Sequence, residues 1–180
     1  MLRSSHATLG YYFLFSVFNL FSLPSRLNYP LCYWQMTPPP AYHIGYADGA
    51  SRWTQNLASA AWALYTPSHE LLHSGGICLG PATNNQAEYT AVIGLLTDAQ
   101  HHHIRHLSVF LDSQLVVLQL NNVYRVHDPC LFRKYLQVRL LSRHFDSITF
   151  THIPRQLNQT TDQIANMVLD WHISHQDTHT

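Results

Sequence analysis

HLSVFLD, residues 106–112, is a short apolar run that closes on an acid, and its place in the chain decides the fold. It is too short for an independent helix and reads as a buried strand. Ahead of it, TNNQAEYTAVIGLLTDAQHHH (83–103) sets Ala87, Ala91, Leu95 and Ala99, joined by Val92 and Leu96, at helical spacing. Thr83 or Asn84 can cap that helix, because a side-chain oxygen there accepts an orphan backbone N–H. Three strand-like runs come first: YHIGYAD (42–48), LASAAWALYT (57–66) and HELLHSGGICLG (69–80). Thr66, Pro67 and Ser68 supply the turn between the second and third, which gives an antiparallel start. A helix then carries the chain to residues 106–112. The right-handed crossover rule sets that strand parallel to the first and adjacent to it.

Downstream, SQLVVLQLNN (113–122) reads as a short helix. Residues 130–145 read as another, with Leu131, Tyr135, Val138 and Leu141 inward. Ser147–Ile153 is a strand ended by Pro154, and Asn158 opens a last helix to about Trp171. The order β-β-β-α-β-α-α-β-α predicts an α/β domain. Its core is one mixed five-stranded sheet, three antiparallel strands plus two parallel, flanked by helices on both faces.

That domain is expected over residues 41–174, with a tail at 175–180. Residues 1–40 read differently, as a hydrophobic leader and Pro-rich linker outside the fold. Leu9 to Leu23 is nearly continuous apolar and aromatic sequence of 15 residues, short of the roughly 20 that span a bilayer. Arg3 before it, with Ser22, Pro24 and Ser25 after it, loosely resembles a targeting segment, but there is no A-x-A cleavage site. A remnant of a longer polyprotein and a poorly ordered leader are the alternatives. Pro38-Pro39-Pro40 is a stiff spacer without backbone donors and marks the boundary.

Composition narrows the function. Apolar residues make up 46% and charged residues only 11%, which excludes a disordered chain, a charged tail and a coiled coil. Ten Lys+Arg balance ten Asp+Glu, so a strongly basic free-standing nucleic-acid binder is not the default. The three cysteines, Cys32, Cys78 and Cys130, have neither disulfide-framework nor zinc spacing and lean towards a reducing compartment. An intracellular location is expected, with a targeting role for the leader left open. A membrane partner is not expected.

With so few acids, their positions are informative. Glu70 and Glu88 are the two glutamates. Asp48 ends an apolar strand before Gly49, and Asp112 ends another before Ser113. As parallel neighbours about 4.8 Å apart, these strands would bring the two carboxylates within reach of one ion. Glu88 falls in the second turn of its helix and Asp162 in the first turns of the last one, so both can point across the same sheet end. Four carboxylates at one place repel one another unless a cation is present. All-oxygen donors favour Mg²⁺ or Mn²⁺ over zinc. Two such ions about 3.5–4 Å apart hydrolyse phosphodiesters, one activating water and the other stabilising the leaving oxygen. Any one of these acids alone is more simply a cap or a dipole partner.

Their contexts resemble the ribonuclease H family over residues 42–172. The matching pieces are Asp48-Gly49-Ala50-Ser51, Thr83-Asn84-Asn85-Gln86-Ala87-Glu88-Tyr89 and Asp112-Ser113-Gln114-Leu115-Val116. The last is His152-Ile153-Pro154-Arg155 with Asn158, Asp162, Ala165 and Asn166. Four pieces in the family's order and spacing make the signal. The resemblance implies a ribonuclease H-like fold and an endonuclease that cleaves the RNA strand of RNA–DNA hybrids, leaving 5′-phosphate and 3′-hydroxyl ends. It implies two Mg²⁺ (or Mn²⁺) ions on Asp48, Glu88, Asp112 and Asp162. It makes His152 a candidate catalytic histidine. Asn84, Asn85 and Gln114 would approach the hybrid's minor groove, and Thr83 a DNA-strand phosphate.

The departures shape the alternatives. Arg52-Trp53-Thr54-Gln55-Asn56 stands where many relatives have a Gly/Pro-rich turn, so the first hairpin is expected to be built differently. Lys134 is the only lysine, and the basic handle of some relatives is missing. Arg125, Arg133, Lys134, Arg139 and Arg143 form a modest cationic helix that could meet phosphates. Weak charge suits a domain that leans on a polyprotein neighbour such as a reverse transcriptase. His101, His102, His103 and His106 read as polar residues at a helix C-terminus rather than a transition-metal site, since no outer acid or strict ligand spacing is evident. A proofreading exonuclease would need an acid where Ala50 stands. A transposase or integrase core would lack the Thr-Asn-Asn-x-x-Glu opening. The remaining alternative is a domesticated, non-catalytic nucleic-acid-binding or interaction module of retroelement origin.

Overall fold

The computed structural model describes residues 40–176. The leader, most of the linker and the last four tail residues lie outside the described residues. Nine principal elements follow in order: β1 (His43–Arg52), β2 (Leu57–Tyr65), β3 (Leu71–Gly80), α1 (Asn84–His101), β4 (His106–Leu111), α2 (Gln114–Leu120), α3 (Pro129–Ser142), β5 (Ser147–His152) and α4 (Gln159–Gln176). The sheet order is β3-β2-β1-β4-β5. β1–β2 and β2–β3 are antiparallel, while β1–β4 and β4–β5 are parallel.

Helices cover both faces, and two consecutive glycines of β3 show it. A Cβ on Gly75 would meet the Trp62 ring, which lies on the α1 side, whereas one on Gly76 would meet Val168 and Ile164 of α4. Coverage on both sides explains why β2 reads LASAAWALY, an unbroken apolar run with small residues where helices come close. Leu95, Leu96 and Val92 of α1 and Leu107, Val109 and Leu111 of β4 are fully buried and form the core between α1 and the sheet. Leu131 and Val138 of α3 are buried too, with Tyr135 and Leu141 partly buried against the same core.

Local chemistry sets the ends. Thr83 caps α1 through a reciprocal pair: its hydroxyl accepts the Gln86 N–H at 3.3 Å, and Gln86 Oε1 accepts the Thr83 N–H at 3.1 Å. Ser113 caps α2, and Asp128 caps α3 with Pro129 in the first turn.

The structure departs from the sequence reading chiefly in four places. β1 does not stop at Asp48 but runs on to Arg52, paired to β2 throughout. β3 begins at Leu71 rather than residue 69, because His69 takes a left-handed turn conformation at φ 64°. α3 ends at Ser142 rather than 145. α4 reaches Gln176, five residues past Trp171. The unusual first hairpin turns through a single 3₁₀ turn, Trp53–Gln55, closed by Asn56 at φ 51°. Among the described residues no helix is long and apolar enough to cross a membrane.

Candidate active site

The parallel ladder between β1 and β4 runs from His43 opposite Leu107 to Ala47 opposite Leu111. The next residue on each chain is therefore an acid, and Asp48 and Asp112 leave the ladder side by side. Asp48 lies mid-strand rather than at a strand end, because β1 stays paired to β2 beyond it. That pairing explains its burial, at 4% exposed. Glu88, in the second turn of α1, is equally buried. Carboxylate oxygens of Asp48, Glu88 and Asp112 all lie within 4.8 Å of one another.

The structure brings together three of the four acids. Asp162, on the first turn of α4, stands apart from this group in an ion pair with the Arg155 guanidinium. Its charge still reaches Asp48. Arg155 sits in the 3₁₀ turn 155–157 between β5 and α4, and its charge also reaches Asp48 and Glu88. Sequence reasoning assigned it no role.

The electrostatics follow from this crowding. Burial, then the charges of Asp112 and Asp162, push the Asp48 carboxyl up to about 7. Burial, then Asp48 and Asp112, push Glu88 up to about 9. The Gly49 N–H and Arg155 pull both part of the way back. Glu88 Oε2 is buried without a hydrogen-bond partner. A buried acceptor left unpaired beside two further carboxylates is costly. An all-oxygen donor set of this kind fits a hard divalent cation such as Mg²⁺ or Mn²⁺.

Asn158 holds the rim together from beneath. It is buried, and its Nδ2 donates to the Ala47 carbonyl at 3.0 Å and to Asp112 Oδ1 at 3.3 Å. Its own Oδ1 accepts the Thr161 hydroxyl at 2.5 Å. The sequence marked it as a helix start and as part of the fourth family-like piece, without a role. The Thr three residues on was the available signal for this cap-like exchange.

The acids open into a cleft of about 430 Å³ lined by Asp48, Glu88, Asp112, Ser113, Arg155 and Asn84, among others. A groove of about 490 Å³ adjoins it, with Trp53, Thr83 and Gln86 in its wall. Ser51, Arg52 and Asn84 line both, so the two are continuous. The Ser51 hydroxyl donates to Asn84 Oδ1 at 3.5 Å. Asn85 and Gln114 stand in the first turns of α1 and α2 and line neither cavity. His152 ends β5 opposite Leu111, exposed, with Nε2 3.2 Å from the Asp112 carbonyl oxygen. A carbonyl is an acceptor, so this contact calls for a proton on Nε2.

Residues 46–168 match the family model described as reverse transcriptase-like. Ribonuclease HI of Halobacterium salinarum is 40% identical over 125 residues, which cover 69% of this chain and 63% of that protein. Its crystal structure, described as RNase H1, superposes with a TM-score of 0.69 at 39% identity, over 72% of this chain and 98% of that one. The N-terminal RNase H domain of Rv2228c from Mycobacterium tuberculosis gives a TM-score of 0.72 at 31% identity, over 76% of this chain and 99% of that one. As a curated protein, Rv2228c is called bifunctional and matches at 34% identity over 69% of this chain and 34% of its own length. The chain thus spans less than two thirds of the curated relatives it matches. LC11-RNase H1, solved in complex with an RNA/DNA hybrid, gives a TM-score of 0.69 at 29% identity, over 73% of this chain and 99% of that one.

Proposed function

The chain belongs to the ribonuclease H family of reverse transcriptase-like domains, and from that premise we propose that it is an endoribonuclease acting on the RNA strand of RNA–DNA hybrids. The reading includes catalysis with two Mg²⁺ or Mn²⁺ ions and products with 5′-phosphate and 3′-hydroxyl ends. One observation carries it: Asp48, Glu88 and Asp112 meet within 4.8 Å at the mouth of a cleft. That convergence of charge favours the enzyme over a non-catalytic interaction module, which has no use for so costly a cluster.

Asp48, Glu88 and Asp112 would hold the ions, with Asp162 joining them from its pair with Arg155. When bound, the ions would activate water and stabilise the leaving 3′ oxygen. The chain's own residues do the rest. Asn158 fixes Asp112 and the end of β1 in one geometry through its two donated hydrogen bonds. Arg155 offsets the excess negative charge around Asp48 and Glu88. His152 stands beside Asp112 with an exposed imidazole, and on the family pattern we assign it to helping water activation or product departure. Asn84 presents an amide between cleft and groove, suited to a 2′-hydroxyl that both donates and accepts. Thr83, Asn85 and Gln114 are assigned to hybrid contacts on the same family pattern. Arg125, Arg133, Lys134, Arg139 and Arg143 give modest attraction for phosphates, so we assign part of the grip to a neighbouring domain such as a reverse transcriptase.

The test is incubation of the chain with labelled RNA–DNA hybrid, double-stranded RNA and single-stranded RNA, with Mg²⁺ and with a chelator. Mg²⁺-dependent internal cuts confined to the RNA of the hybrid are expected. Cleavage that is metal-independent, or equal on all three substrates, overturns the reading.

A further inference from the structure

At the other end of the sheet, β3 and the end of α1 bring two imidazoles together beside one carboxylate. Asp98, near the C-terminal end of α1, accepts through a single oxygen, Oδ2, from the Trp62 indole N–H at 2.5 Å and meets His73 Nδ1 of β3 at 2.6 Å. The His73 ring lies 6.0 Å from the ring of His102, the residue that caps the C-terminal end of α1.

We propose that His73 and His102 bind one divalent transition-metal ion of the zinc class, and that Asp98 is its outer-shell orienting group. A histidine ligand commonly donates its second ring N–H to a carboxylate, which fixes the tautomer and the ring direction. Asp98 does this for His73: its contact with Nδ1 leaves Nε2 as the lone-pair nitrogen, on a side chain about half exposed. Trp62 in turn pins Asp98. Two imidazoles ligating one ion at about 2.0–2.1 Å put their ring centres roughly 5–6 Å apart, and the observed spacing agrees. The carbonyl end of α1 adds partial negative charge at the same place.

The histidine run weighed in the sequence was read as a polar helix end and not as a metal site. Of His101, His102, His103 and His106, only His102 takes part. His103 turns the chain away at φ 56°, and the His106 ring packs 5.5 Å from Tyr42. The outer acid that seemed missing is Asp98, one helical turn before His102, and the first ligand comes from β3. The site is separate from the carboxylates: His73 lies opposite Leu64, which lies opposite Gly45, two strands and three residues away from Asp48.

Zinc chloride titrated into the full chain, followed by the imidazole ¹⁵N and ¹H resonances, tests this. Zinc at one equivalent should move the ring signals of His73 and His102. His73→Ala and His102→Ala should each weaken that binding by about tenfold or more, and Asp98→Asn by about 10–100-fold. Asp48→Asn, at the carboxylate cluster, should leave these signals responding as in the wild type. Both histidines are exposed, so either variant keeps the proposal falsifiable should the other misfold. Ring signals that stay in place as zinc is added, or zinc binding equally tight in His73→Ala and His102→Ala, overturn it.

Discussion

Gly49 and Glu88 meet backbone to backbone: a Cβ placed on Gly49 would lie 2.3 Å from the Glu88 nitrogen. No real Cβ tolerates that approach, and the obstacle is main chain, which cannot swing aside. This contact lets the second turn of α1 come down onto β1, so that Glu88 reaches Asp48 and Asp112. Gly49→Ala must therefore push α1 away from the sheet at the point where the acids converge. Overpacking of this kind costs about 1–3 kcal/mol. Denaturant unfolding should show that loss together with at least about a hundredfold drop in hybrid cleavage. A variant with wild-type turnover would mean that Glu88 does not need this position.

Asp48 gives a prediction in which activity and stability move in opposite directions. Its carboxyl is raised to about 7 and that of Glu88 to about 9, against ordinary values near 4. Between about pH 4 and pH 9 the metal-free native state keeps protons that the unfolded chain has released. Native stability therefore falls as pH rises through that window. Asp48→Asn removes its own part of the penalty and some of the repulsion on Glu88. In chelator at pH 8 its melting temperature should exceed the wild type's by roughly 3–8 °C, while cleavage in Mg²⁺ is lost. Added Mg²⁺ should raise the wild-type midpoint more than that of the variant. A variant destabilised in chelator would contradict the crowding of charge at this rim.

The contrast between what was legible and what was not is physical. The strand order was readable because apolar runs of the right length, separated by one helix, admit a single crossover hand, and this made neighbours of Asp48 and Asp112. The continuation of β1 through Gly49-Ala50-Ser51 was not. These residues have little strand preference, and β2 supplies the pairing that holds them extended. The Arg155–Asp162 pair spans seven residues and a 3₁₀ turn, so helical i, i+4 spacing did not announce it. The His73–Asp98–His102 group joins a strand to a helix end and exists only once the chain is folded.

Asn158 joins three parts of the rim, and its loss should be felt in both fold and chemistry. Asn158→Ala strands the Ala47 carbonyl, frees Asp112 Oδ1 and leaves the Thr161 hydroxyl with the Asn158 carbonyl alone. Buried groups left unpaired cost about 1–3 kcal/mol each, so a total of about 2–4 kcal/mol is expected in urea unfolding. Because Asp112 loses its anchor, the Mg²⁺ concentration for half-maximal cleavage should rise about tenfold. Asn158→Asp restores the shape but replaces the donor with a fourth nearby negative charge. It should cleave no better than the alanine variant, and recovery of activity by Asp would show that Asn158 acts by shape alone.

Trp53 is 95% exposed on the 3₁₀ turn between β1 and β2, where a bare indole in water gains nothing for the fold. The turn is stiffened by Asn56, whose N–H bonds to the Trp53 carbonyl at 3.1 Å. On one side, Arg52 is held by Asp170 at 2.6 Å. The indole borders the groove that runs on from the carboxylate cleft through Ser51, Arg52 and Asn84. A duplex seated over the acids would continue along that groove, and an aromatic face there packs against a sugar or a terminal base. Such a contact is worth about 1–3 kcal/mol. Trp53→Ala should therefore leave the melting temperature within about a degree and leave kcat nearly intact, while raising KM for the hybrid by about 5–150-fold. Trp53→Phe should recover most of the difference. The expected signature is a change in KM alone; a matching fall in kcat, with KM unmoved, would show that the indole acts on the geometry of the acids and not on the length of substrate the groove can hold.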